Sequence, residues 1–175
     1  MFEYFAFIDE TTAMRYRLCL VAVPVENLSE TRKAMQLLRL KGQSRIHMKK
    51  ESDSRRRQIL DQIFKIDSWE CLILEAKTEG LTPSQARKEL LLLASAHRIW
   101  PSIRHLVVED STQPDADKKM LTWLKNYSRH DWSFDICKPA AEECLWLADA
   151  LGWAYAKGGN WRKGVQSRIQ VVTGP

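Results

Sequence analysis

The chain opens on an apolar run from Glu3 to Asp9, in which Tyr4, Phe5, Ala6, Phe7 and Ile8 follow one another without alternation. Such a run predicts a strand covered on both faces. A second run, Tyr16 to Val25, stops at Pro24, and Asn27 or Ser29 can then cap a helix through Thr31 to Leu40. Arg45 to Met48 predicts at most a brief third strand. Ile59, Leu60, Ile63 and Phe64 make an apolar stripe on a helix over Ser54 to Ile66. Trp69 to Ala76 is the next β-type run, closed by Gly80. Thr82, Pro83 and Ser84 open a helix that carries the leucines at 90 to 93 as far as Ile99, before Pro101. Ile103 to Glu109 reads as a strand, Asp115 to Tyr127 as a helix, Trp132 to Cys137 as extended, and Ala140 to Lys157 as a helix. Two early strands in direct succession, then alternating helices and strands, predict an α/β domain with a mixed sheet. Residues 1–158 are expected to form the domain and 159–175 a basic tail, either a loose arm or a late strand. Trp69, Trp100, Trp123 and Trp132 fall in apolar patterns and are expected in the core.

Composition narrows the class without changing the fold. With 175 residues, 45% hydrophobic and 28% charged, the chain suits one soluble globular domain rather than a disordered, collagenous or membrane-bundle protein. The start lacks a basic segment followed by an apolar stretch, and no apolar run is long enough to span a bilayer, so a cytoplasmic location with no membrane partner is expected. Cys19, Cys71, Cys137 and Cys144 form no CxxC pair and have no histidine at ligand spacing, which argues against structural zinc and a disulfide framework. There is no Gly-rich phosphate loop or nucleophile elbow. Lys plus Arg number 27 against 22 Asp plus Glu, a net charge of +5 that biases the expected partner mildly toward a polyanion.

Carboxylates at three places sharpen that bias. The first strand runs into Asp9-Glu10, and the strand from Ile103 runs into Glu109-Asp110. Open α/β sheets place their ligands at such strand ends. Asp149 is the only charged residue between Cys144 and Ala156, with Leu145, Trp146, Gly152 and Trp153 as its helical neighbours. A buried carboxylate in that setting needs a proton, a basic partner or a cation. If one acid from each strand end meets Asp149, each pair at about 5 Å repels by roughly 3 kcal/mol at an effective dielectric of about 20. A divalent cation with hard oxygen ligands, Mg²⁺ or Mn²⁺, answers that repulsion and can clamp a phosphodiester displacement. An exposed helix edge or a salt bridge is the plainer alternative for Asp149.

His47 lies among Arg45, Lys49, Lys50, Arg55, Arg56 and Arg57. These cations can grip phosphates flanking a scissile bond while His47 assists proton transfer. A solvated helix start with an incidental histidine is the alternative. Lys138, and Arg162, Lys163 and Arg168 in the tail, can extend the basic groove, and Trp161 offers a ring on which an unpaired base can stack. His97, His105 and His130 show no partner pattern.

The order of these pieces resembles the bacterial family called domain of unknown function 3800. The matching stretches are Phe7-Ile8-Asp9-Glu10-Thr11, Arg45-Ile46-His47-Met48, Val107-Val108-Glu109-Asp110-Ser111 and Leu147-Ala148-Asp149-Ala150-Leu151. The resemblance implies an RNase H-like mixed β-sheet flanked by helices. It further implies a metal-dependent nuclease, or a related phosphoryl-transfer enzyme, acting on DNA or RNA. Asp9, Asp110 and Asp149 would then hold Mg or Mn, with Glu10 and Glu109 as outer or alternate ligands and His47 as an accessory group. The chain departs from the family pattern at Thr11-Thr12 and at Trp146. Where relatives end the Trp69 strand in Asp-Lys, it has Glu75-Ala76-Lys77, which makes Glu75 another candidate ligand. These departures favour the alternative expectation, a catalytically inactive RNase H-like module that binds nucleic acid or a protein partner.

Overall fold

In the computed structural model, which describes residues 2–12, 15–77, 79–110 and 114–174, strand β1 (Tyr4–Thr11) divides its side chains between two layers. Phe7 belongs to one core, Ala6 and Ile8 to the other. The period-2 alternation of a strand therefore sends Asp9 toward the first layer and Glu10 toward the second. Strand β1 pairs antiparallel with β2 (Arg17–Pro24) and parallel with β4 (Ile103–Glu109). Strand β2 pairs antiparallel with β3 (Glu70–Glu75), and β4 pairs parallel with β5 (Ser133–Cys137). A last strand, β6 (Ile169–Thr173), runs parallel to β3, giving the order β5-β4-β1-β2-β3-β6. Every residue of β2 is buried, the state its unbroken apolar run requires.

Helices cover both faces. On one lie α1 (Leu28–Leu38), α2 (Asp53–Ile63) and the long apolar α5 (Glu143–Lys157), packed over Phe7, Cys19, Val21 and Ile73. On the other, α3 (Pro83–Ser95) and α4 (Pro114–Tyr127) pack Leu90, Leu91, Leu121 and Leu124 over Ala6, Ile8, Leu20 and Leu72. Gly152 lets α5 press close to the sheet: a Cβ there would stand 3.0 Å from the Cys19 Cβ. That approach brings Asp149, three residues earlier on α5, down to the end of β1.

The structure corrects several expectations. Arg45–Met48 forms no strand; it leads into a 3-10 turn, Met48–Lys50. Its backbone groups are taken by the turn and by side chains instead of a ladder: His47 O accepts from Lys50 N–H, Met48 N–H donates to Asp149, and Met48 O and Lys49 O accept from Arg56. The Thr82 helix ends at Ser95, not Ile99, after a capping box formed by Thr82 and Gln85. The segment after Gly158 is the late strand and not the loose arm. Gly158 (φ +76°) and Gly159 (φ +55°) turn the chain into α6 (Gly159–Val165), and β6 then completes the sheet from beyond the expected boundary at residue 158. Trp69, Trp100 and Trp132 are core residues, but Trp123 is 46% exposed. No described helix is long and apolar enough to cross a membrane, and all four cysteines are free.

Candidate active site at the ends of β1 and β4

Parallel pairing aligns Ile8 with Val108, so the two strands finish side by side and present Asp9 and Glu109 at one edge of the sheet. α5 lays Asp149 against them. Asp9, Glu10, Thr12, His47, Glu109, Asp110 and Asp149 line one cleft of about 260 Å³. Asp9 is 7% exposed, and its Oδ1 accepts from the Glu10 backbone N–H at 2.8 Å. Burial, a side-chain hydrogen bond with Glu109 and the charge of Asp149 together hold its pKa well above the ordinary carboxylate value. Burial likewise lifts the Asp149 pKa to about 6; the Met48 N–H, 2.8 Å from Oδ2, opposes that shift and Glu109 adds to it. Three carboxylates this close coexist by sharing a proton or by sharing a cation.

Each remaining expected residue has a definite place. Glu109, the last residue of β4, joins the cluster, whereas Asp110 is an exposed residue on the rim whose N–H donates to Cys137 O. Ser111 lies outside the described residues. Glu10 borders the cleft, but its carboxylate faces the opposite layer and accepts from Tyr16 and from Arg87 Nη1 at 2.8 Å. Glu75 is not near the acids; it pairs with Arg17 across β2 and β3. The His47 Nδ1 stands 3.8 Å from Asp149 Oδ1, and burial, with Arg45 and Lys50 nearby, lowers its pKa.

The expected basic groove proves heterogeneous. Arg45 Nη1 reaches Glu109 at 3.4 Å. Lys49, Lys50, Arg57 and Lys138 are exposed. Arg55 and Arg56 are committed to the fold: Arg55 donates to Leu38 O at 2.5 Å and Gln58 at 2.7 Å. Arg56 holds the 3-10 turn, pairs with Asp53 at 2.7 Å and lies 4.5 Å from the Trp153 ring centroid. In the tail, Arg168 donates to Phe64 O and Ile66 O beyond the end of α2 and stacks on Trp69 at 3.8 Å. Arg162 donates to Tyr155 O at 2.7 Å, and Trp161 packs edge-on to Trp153 at 5.2 Å beside a cleft of about 770 Å³ between α2 and α6. Lys163 is exposed.

The donor set of Asp9, Glu109 and Asp149 is all hard oxygen, the chemistry that suits Mg²⁺ or Mn²⁺. Among the described residues, however, no three His, Cys, Asp or Glu side chains stand as a finished metal cage. Each acid already has an oxygen engaged, by Glu10 N–H, by Arg45 and by Met48 N–H respectively.

Sequence reasoning missed Arg87. It is 5% exposed on α3 and bonds Glu10, Asp117 Oδ1 at 2.7 Å and Glu109 O at 3.4 Å, gripping both strand ends from behind. The signal was present: Arg87 stands beside Ala86 and one turn before Leu90 and Leu91 on the helix's apolar stripe, as Asp149 does on its own helix.

A mixed six-stranded sheet of this order, flanked by helices, defines an RNase H-like fold. Several solved structures share it. The chain aligns with one from the PCNA:RNase HII complex of Archaeoglobus fulgidus at a TM-score of 0.60 and 16% identity, over 94% of this chain and 78% of that one. It aligns with ribonuclease H2 from Pyrococcus horikoshii OT3 at a TM-score of 0.59 and 13% identity, over 94% and 76%. No family model and no curated protein matches the chain.

Proposed function

We propose that this protein is a divalent-cation-dependent nuclease that cleaves phosphodiesters of DNA or RNA. The observation that carries the reading is the meeting of Asp9, Glu109 and Asp149 in one cleft, Asp9 buried and Asp149 partly so, with both pushed toward protonation. A fold keeps such a cluster where something from solution neutralises it. Asp9, Glu109 and Asp149 would hold Mg²⁺ or Mn²⁺, with Asp110 at the rim. When bound, the cation supplies Lewis-acid stabilisation of the phosphoryl oxygens and activation of water for in-line attack. Met48 N–H and Glu10 N–H fix the orientation of two of the acids. His47, beside Asp149 and biased toward its neutral form, can assist proton transfer. Lys49 and Lys50 supply charge for flanking phosphates. The ordered motifs that resemble domain of unknown function 3800, and the fold shared with ribonucleases of the HII type, support the same reading.

Asp149→Asn is expected to remove Mn²⁺-stimulated cleavage of labelled oligonucleotides by at least about 100-fold while leaving the circular dichroism spectrum unchanged. Cleavage at the wild-type rate in that variant sinks the assignment. One observation favours a catalytically silent module binding nucleic acid or a protein: the acids are engaged with N–H groups and Arg45 rather than set in a cage. That reading expects salt-dependent binding, no turnover with any divalent cation, and no calorimetric signal when Mn²⁺ is titrated in.

A further inference from the structure

The outward surface of α4 has no role in the acid cluster, yet it carries an uncommon combination of side chains. Its inner face is apolar, with Leu121 and Leu124 in the core. Its outer face shows Trp123 at 46% exposure and Tyr127 at 78%, one turn apart and stacked with ring centroids 5.1 Å apart at 22°. From Lys118 to Arg129 the charged residues are all basic: Lys118, Lys119, Lys125 and Arg129. All four are exposed, and among the described residues none forms an ion pair. At steps of four, Lys119, Trp123 and Tyr127 follow one line along the helix, while Lys118 and Lys125 follow the opposite flank.

Two exposed aromatic rings keep a large apolar area in water, a cost that a stable fold retains where a partner covers it. The cations, none of which pairs with an acid among the described residues although Asp115 stands one turn before Lys119, say what kind of partner. An acidic strand with planar groups matches both features, because its bases stack on aromatic rings and its phosphates meet lysine and arginine. Lys119 shares the line of the two rings, so a strand whose bases stack on Trp123 and Tyr127 carries its phosphates past that ammonium, while Lys118 and Lys125 add to the positive field from the far flank. We propose that the outer face of α4 is a docking surface for single-stranded nucleic acid, with Tyr127 and Trp123 as the stacking platform. The inference rests on the nucleic-acid half of the functional reading above and is independent of cleavage.

The test uses the full chain in EDTA, where turnover plays no part, with fluorescein-labelled oligodeoxythymidylate and oligouridylate as probes. The anisotropy of at least one probe is expected to rise on titration, with quenching of tryptophan fluorescence that Trp123→Phe removes. Tyr127→Ala, at a position too exposed to affect folding, is expected to weaken binding roughly 10-fold, the value of one stacked base. Lys119→Gln with Lys125→Gln is expected to flatten the salt dependence by about 0.7 in log–log slope for each phosphate no longer neutralised. Comparison of the two probes separates DNA from RNA as the source of the strand. Wild-type affinity and salt slope in these variants, or no binding of either probe, overturns the proposal. So does a concentration-dependent dimer in sedimentation that Tyr127→Ala dissolves, since a second copy would then be the occupant. Because EDTA removes catalysis from the measurement, failure here and retained cleavage in Asp149→Asn are separate results.

Discussion

Asp9 and Glu10 are adjacent in the chain and stand in opposite electrostatic surroundings. Glu10 looks into the layer of α3 and α4, where the buried Arg87 binds it together with Asp117 and the Glu109 carbonyl. Burial by itself would lower the Arg87 pKa, but Asp117, Tyr16 and Glu10 outweigh it and raise that value. Asp9 looks into the α5 layer and meets two further carboxylates, Glu109 and Asp149, with a partly exposed Arg45 reaching Glu109. One residue of strand alternation thus separates an acid given an internal counter-charge from an acid denied one. The difference separates a cluster whose charges are paired inside the fold from one whose repulsion is left unrelieved. A buried acid kept for stability has its partner built in, while one kept for a cation or substrate retains its repulsion.

The largest effect should follow from breaking the satisfied side. Arg87→Met leaves Glu10 and Asp117 without their shared partner, and a loss of about 3–5 kcal/mol is expected in denaturant unfolding. Adding Glu10→Gln and Asp117→Asn to that variant should recover much of the loss. A single variant as stable as wild type would show that the pairing is incidental and erase the contrast between the faces.

An intermediate effect should appear on the repulsive side as a pH dependence. The folded-state pKa of Asp149 is raised from 3.8 to about 6, so the folded chain holds this proton more tightly than the unfolded chain. Its contribution to stability is therefore full below pH 3.8 and is lost as pH rises through about 6. In metal-free protein the stability difference between wild type and Asp149→Asn should shift by about 1–3 kcal/mol in favour of the variant over that interval. A difference that stays flat, or moves the other way, would mean that Asp149 is not under strain. Mn²⁺ should narrow the gap above pH 6 if the acids hold it.

The smallest effect discriminates between neighbours. Asp110→Asn, at an exposed rim position, should change stability by no more than about 0.5 kcal/mol. Glu109→Gln should lower the pKa of both Asp9 and Asp149, which nuclear magnetic resonance of the carboxyl carbons can follow. A larger response to Asp110→Asn than to Glu109→Gln would move the centre of the cluster to the rim.

Much of the architecture was legible because strands and helices announce themselves in local periodicity. The apolar run of β2, the Thr82 and Pro83 start of α3 and the lone acid of α5 each needed only their own neighbourhood. Arg45–Met48 suggests at most a brief strand in the sequence and forms none, because its backbone partners, Asp149 and Arg56, come from elements the local pattern does not contain. Arg55 and Arg56 look like phosphate ligands in the sequence, and only packing reveals that their donors are already used on Leu38 O, Met48 O and Lys49 O. Trp123 looks apolar enough for the core, yet helical phase places it outward of Leu121 and Leu124.

The sequence by itself determined most of the elements up to α5, the acids at two strand ends and the carboxylate in an apolar helix, since each depends on short-range pattern and on the cost of burying charge. Tertiary structure decided which acids meet. Parallel pairing of β1 with β4 put Glu109 rather than Asp110 beside Asp9, and Gly152 let α5 come close enough to add Asp149. It also sent Glu10 to Arg87, Glu75 to Arg17 and an aromatic pair to the open face of α4. Pairing register and helix phase are set by interactions between residues far apart in the chain, and those long-range interactions decide whether a charged side chain meets a counter-charge or another acid.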